Sequence, residues 1–75
     1  MTERVTIEVG HQGYQTMFID GIELEGSMML IDGEWYVAEF TTVSDDGYDL
    51  FVTVSDSDGQ DFEFNIHEVE QVKDG

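Results

Sequence analysis

Apolar and polar residues alternate in short runs along almost the whole chain. Val5, Ile7 and Val9 are separated by Thr6 and Glu8, and Ile22 and Leu24 by Glu23. Tyr36, Ala38 and Phe40 alternate with Val37 and Glu39, Leu50, Val52 and Val54 with Phe51 and Thr53, and Phe62 and Phe64 with Glu63. A repeat of two puts successive side chains on opposite faces of an extended backbone, so these runs predict strands. The pattern predicts strands over 4–9, 14–19, 22–25, 28–31, 34–43, 48–55 and 61–66. In "IHEVEQV", Ile66, Val69 and Val72 stand three apart. That spacing suits one 3₁₀ turn leading into a short last strand.

Asp-Gly punctuates the runs at Asp20-Gly21, Asp32-Gly33, Asp46-Gly47 and Asp58-Gly59. Between alternating apolar segments this dipeptide marks a hairpin, because Gly adopts the positive φ of the turn without steric cost. The chain has no proline, so no strand is pushed to an edge on that account. The prediction is an all-β antiparallel meander.

Two registers follow from the rule that inward residues pair with inward residues. A loop of Ser57, Asp58 and Gly59 sets Ser55 against Asp61, Val54 against Phe62, Val52 against Phe64 and Leu50 against Ile66. A loop of Asp45, Asp46 and Gly47 sets Thr42 against Leu50, Phe40 against Val52 and Ala38 against Val54. The acidic stretch "SDSDGQD" is then turn chemistry. It lacks the ligand spacing of an EF-hand loop, with Gly at the sixth place and Glu at the twelfth.

The inward set is Tyr36, Ala38, Phe40, Leu50, Val52, Val54, Phe62, Phe64 and Ile66, joined by Val5, Ile7, Val9, Ile22 and Leu24. The opposite face holds Trp35, Val37, Glu39 and Thr41 beside Phe51, Thr53, Glu63 and Asn65. Trp35 and Phe51 thus share a face with Glu39, Asp49, Asp61 and Glu63. Two readings follow: the aromatics are covered by the N-terminal strands or a dimer mate, or they form an apolar anchor ringed by carboxylates.

Charge changes the picture. The 75 residues carry 18 acids and two bases, a net charge of −16. The bases are Arg4 and Lys73, so the span from Val5 to Val72 has none. Direct nucleic-acid binding needs Lys and Arg against phosphates and is excluded as a function class. A chain of this length makes one small domain with a thin core. It has no cysteine, hence no disulfide, thiolate metal site or Cys nucleophile. With no signal-peptide pattern in "MTERVTIEVG" and no long apolar run, the expected place is the cytoplasm.

No enzyme motif emerges. His11 and His67 fall at strand ends or loops, and no phosphate loop, Ser/His/Asp set or zinc spacing is present. The expectation is a non-enzymatic protein without a cofactor. Duplex DNA carries one charge per about 1.7 Å of axis, so 16 charges match roughly 27 Å of duplex. A compact domain of this length has a radius of gyration near 11 Å and a diameter of about 30 Å, a comparable charge per length.

In size, charge and lack of Cys and enzyme motifs, the chain resembles the small acidic DNA-mimic proteins that phages make against host or defence proteins. The resemblance implies an inhibitor whose carboxylates stand in for phosphates. Its partner would be a basic DNA- or RNA-binding protein of the host bacterium: a nuclease, nucleoid protein, polymerase or defence complex. Glu34, Glu39, Asp45, Asp46, Asp49, Asp56, Asp58, Asp61 and Glu63 would supply the charge, and Trp35 and Phe51 the anchor. The tail "FEFNIHEVEQV", with the "IDGEWYVAEF" hairpin, resembles the closing strands of SH3-like barrels. That implies closure into a small half or full barrel. The rival reading is a halophile's small β-barrel adaptor whose acids only hold water in concentrated salt, although a single alanine, Ala38, is an unexpected composition for one. An ordinary binding module or a toxin–antitoxin partner is the remaining class.

Overall fold

The computed structural model describes residues 4–75 and is all-β. The start of the N-terminal stretch, residues 1–3, lies outside the described residues. Eight strands form: β1 (Val5–Val9), β2 (Gln15–Ile19), β3 (Ile22–Glu23), β4 (Met28–Ile31), β5 (Glu34–Val43), β6 (Leu50–Ser55), β7 (Asp61–Asn65) and β8 (Val69–Lys73). They make a three-stranded sheet ordered β1-β2-β3 and a five-stranded sheet ordered β7-β6-β5-β4-β8, with every pairing antiparallel. β4 to β7 run as a meander, and β8 returns to pair with β4. β7 and β8 do not pair among the described residues, so the larger sheet is a half-barrel. No helix among the described residues is long and apolar enough to cross a membrane.

The 3₁₀ turn is Ile66–Glu68. Asn65 starts it: its side chain accepts from the N–H of His67 at 2.9 Å, while Glu68 accepts from the N–H of Asn65 at 2.9 Å. This reciprocal cap satisfies two donors that a helix start leaves free. It also aims Ile66 and Val69 into the core, where both are buried. A second 3₁₀ turn, His11–Gly13, joins β1 to β2.

The turns show why Asp-Gly works. Asp20 and Asp32 take positive φ (50° and 53°) and are followed by Gly21 and Gly33 at 81°. Two successive left-handed residues make the two-residue hairpins that set Ile19 against Ile22 and Ile31 against Glu34. The 56–60 turn is the expected three-residue loop, and β6–β7 has the predicted register for Ser55 with Asp61, Val54 with Phe62 and Val52 with Phe64. The expected pair of Leu50 with Ile66 is lost, because Ile66 turns into the 3₁₀ segment after Asn65.

The β5–β6 register differs. Ala38 meets Val54 as expected, but Phe40 then meets Thr53, Thr41 meets Val52 and Thr42 meets Phe51. One extra residue, Glu39, is accommodated by a bulge. The strand ends are closed by a four-residue loop, 45–48, with Ser44 donating to the carbonyl of Asp49 at 2.9 Å. The slip reverses the faces beyond the bulge. Phe40, expected inside, is 55% exposed. Thr41, expected outside, turns in and donates from Oγ1 to Met17 Sδ at 3.5 Å. Ile7 and Val9 are exposed as well, because β1 is the outer strand of the small sheet.

The core consists of Ile19, Leu24, Met29, Ile31, Tyr36, Ala38, Val52, Val54, Ile66 and Val69, all buried. Tyr36, Phe62 and Phe64 pack as an aromatic trio with ring centres 5.5 to 6.3 Å apart. Arg4 ties the two sheets. Its guanidinium donates to the carbonyl of Val69 at 2.6 Å and forms an ion pair with Asp20 at 2.9 Å.

Candidate functional site

The outer face of the five-stranded sheet carries the side chains that alternation turns away from the core. Trp35 is 36% exposed, opposite Leu30 on β4. The small sheet does not cover it. Instead Lys73 of β8 holds its ammonium 4.2 Å from the centre of the ring. Phe51 is half-buried, opposite Thr42 at the other end of β5. At about 3.3 Å per residue, roughly 20 Å of strand separates the two aromatics. They share a face without touching, and Val37 and Phe40 lie between them along β5.

The sequence-predicted acids divide by what they do locally. Asp46 is a turn-former: Oδ1 accepts from the Ser44 hydroxyl and from the N–H of Tyr48 at 3.0 Å. The Ser44 hydroxyl, then the Tyr48 amide, hold the Asp46 carboxyl below its ordinary value. Asp56 acts alike, with Oδ1 accepting from the N–H groups of Asp58 and Gln60 at 2.9 Å each. Such bonds are why Asp is favoured in turns. They leave Asp45, Asp49 and Asp58 as exposed carboxylates at the tips.

Glu34 accepts from the Tyr36 hydroxyl at 3.2 Å. Burial first, then Glu34, with Asp56 and Asp32 nearby, push the Tyr36 phenol up from its ordinary value. The cause brings Asp32, Glu34 and Asp56 into one acidic neighbourhood around the aromatic trio. Asp32 was not among the predicted site residues; its Asp-Gly turn role concealed its place beside Glu34.

Glu39, the bulge residue, meets Asp61 of β7. Its Oε2 is cut off from water and has no hydrogen-bond partner. The Glu39 carboxyl is raised above its ordinary value, first by the hydrogen bond with Asp61, then by burial and by repulsion from that carboxylate. Glu63 is exposed on the same strand as Asp61, opposite Thr53.

The face is therefore an apolar band with carboxylates on the β7 side and at the turns. Every described acid except Glu39 and Asp56 is exposed, and acids occupy the turns of both sheets as well as this face. Sequence reasoning missed Phe40 as an outer residue, because the bulge leaves no mark in the alternation. It also missed Glu23 and Glu25, which line a groove between the two sheets with Ile7 and Met17. No family model matches the chain, and no curated protein and no solved structure is similar to it.

Proposed function

We propose that the chain is a non-enzymatic acidic protein that binds a basic nucleic-acid-binding protein and inhibits it by presenting carboxylates where DNA presents phosphates. The observation that carries this reading is the lack of any free positive region among the described residues. Arg4 is paired with Asp20, and Lys73 lies over Trp35. The long axis of the molecule is 35 Å. Duplex DNA of that length carries about 20 charges, against a net 16 here. Its radius of gyration, 12.3 Å, is close to the value the chain length implies. A body of this charge density is drawn to basic grooves and steered there fast at low salt.

Glu34, Asp45, Asp49, Asp58, Asp61 and Glu63 offer the exposed charge, with the half-buried Glu39 beside it. Asp46 and Asp56 shape the turns that present it. Trp35 and Phe51 act as separate contacts at the two ends of the outer face.

The same spread of acids over both sheets supports a second reading, a solvation coat for concentrated salt. Folding at low and at molar salt separates the two. A mimic folds in dilute buffer and displaces duplex DNA from a basic DNA-binding protein in a salt-dependent manner. A salt-adapted domain needs molar salt to screen its own charge. A chain unfolded in dilute buffer, or one that leaves DNA bound to every basic protein tried, removes the mimic reading.

A further inference from the structure

Besides the outer strands β1, β3, β7 and β8, two inner strands, β2 and β5, each leave part of an edge bare, and these two partial edges line one groove. β2 pairs along its whole length with β1 but only at Phe18 and Ile19 with β3. Leu24 extends that contact by donating to the carbonyl of Met17 at 2.9 Å, and beyond it residues 15–16 have no backbone partner on that side among the described residues. β5 pairs with β4 up to Val37, and the backbone of Ala38 bonds to Gly26 and Ser27. Past the bulge it pairs with β6 alone. The groove between the edges has a volume of about 340 Å³ and is lined by residues 15–17 from β2 and 39–41 from β5. β2 and β5 exchange no backbone hydrogen bond among the described residues. One side-chain hydrogen bond among the described residues, from Thr41 Oγ1 to Met17 Sδ, spans the gap.

We propose that this groove takes an extended segment of a basic partner protein as an added strand. Its backbone would bond to the β5 edge at Thr41 and Val43, its apolar side chains would lie on Ile7 and Phe40, and its Arg or Lys residues would meet Glu23 and Glu25. An unpaired edge is a template for strand addition, with main-chain bonds for affinity and alternate side chains for specificity. Ile7 and Phe40 are 54% and 55% exposed at this groove, which is apolar surface left uncovered. Met17 is a flexible side chain suited to repacking around an occupant. Charge selects the occupant: a second copy at −16 is repelled, and a cationic segment is attracted. This site is separate from the turn carboxylates and does not depend on DNA mimicry.

The test uses the full isotope-labelled chain and a six-residue peptide alternating arginine and valine. On binding, the amides of Thr41 and Val43, which point away from β6, should shift and exchange more slowly with solvent. The same peptide N-methylated on the residues facing β5 should bind about tenfold more weakly, as loss of one or two backbone bonds implies. Glu23→Gln with Glu25→Gln should weaken the unmethylated peptide and flatten its salt dependence, whereas Asp45→Asn with Asp58→Asn should leave the Thr41 and Val43 response in place. Equal binding of the methylated peptide overturns the proposal. So do shifts confined to the turn acids, or protection of the same amides by self-association without peptide.

Discussion

Lys73 holds its ammonium 4.2 Å from the centre of the Trp35 ring, so the outward-facing indole is already engaged by a cation of its own chain. An exposed cation–π contact is worth about 0.5–1 kcal/mol. Lys73→Ala should lower the unfolding free energy by that amount, read as a lower urea midpoint, and change the Trp35 emission. It should also strengthen capture of a basic protein, since it bares the ring and removes a positive charge. An unmoved midpoint with unchanged emission would show that the contact contributes nothing.

Phe40 tests the bulge. In an uninterrupted β5–β6 register it would be a core residue, and truncation would cost about 3–5 kcal/mol. Displaced to the outer face, Phe40→Ser should cost below about 1 kcal/mol. Met29→Ala, at a fully buried side chain, should cost about 2–5 kcal/mol in the same denaturation series. Similar losses for both variants would mean that the bulge is wrongly placed.

Stability should carry two opposed pH dependences. Glu39 has a folded value above its ordinary one, so the folded chain binds the extra proton. Its contribution is present below the ordinary value and is lost as pH rises through the raised one. Glu39→Gln should therefore raise the thermal midpoint at neutral pH more than Glu70→Gln, an exposed control that removes the same charge. Asp20 and Asp46 are held below their ordinary values, by the Arg4 guanidinium and the Ser44 hydroxyl respectively. Their contributions are present above the ordinary aspartate value and fade as pH falls through the lowered ones. Asp46→Asn should lower the midpoint at neutral pH and converge with the parent in acid. Parallel curves for all variants would exclude both effects.

Arg4 should matter more than its place near the chain end suggests. Its ion pair with Asp20 is partly exposed and weakened by solvent, but its bond to the Val69 carbonyl is half-buried and joins β8 to the small sheet. Arg4→Ala should cost about 1 kcal/mol and speed amide exchange at β8. Unchanged exchange there would mean that the sheets hold together without this tie.

Much of the architecture was legible because a repeat of two and Asp-Gly turns point the same way. The β6–β7 hairpin came out in register from Val52 to Ser55, since any slip would bring Val54 or Val52 against an acid. The β5–β6 hairpin did not, because Tyr36, Ala38 and Phe40 keep perfect alternation through a point where the backbone does not. The cause is tertiary: Gly26 and Ser27 bond to the backbone of Ala38, and beyond it β5 pairs with β6 alone. Ile19, Met29 and Ile31 escaped the core list because their strands, "QTMFI" and "MMLI", are apolar at neighbouring positions and show no preferred face. Of the candidate site, residue types were readable but neighbourhoods were not. Parity placed Trp35 and Phe51 on one face, yet distance along a ten-residue strand keeps them apart.

The bare strand edges at β2 and β5 have one more consequence. A neutral protein with such edges invites its own copies to stack on them, and natural sheets usually guard against this with charge. Here the guard is diffuse, a mutual Coulomb barrier between whole molecules. Acidification toward the isoelectric point near 4.1 dismantles that barrier while leaving the edges in place. Clouding of the solution near that pH, relieved by arginine-rich peptide but not by an uncharged one, would mark the edges as the adhesive surface.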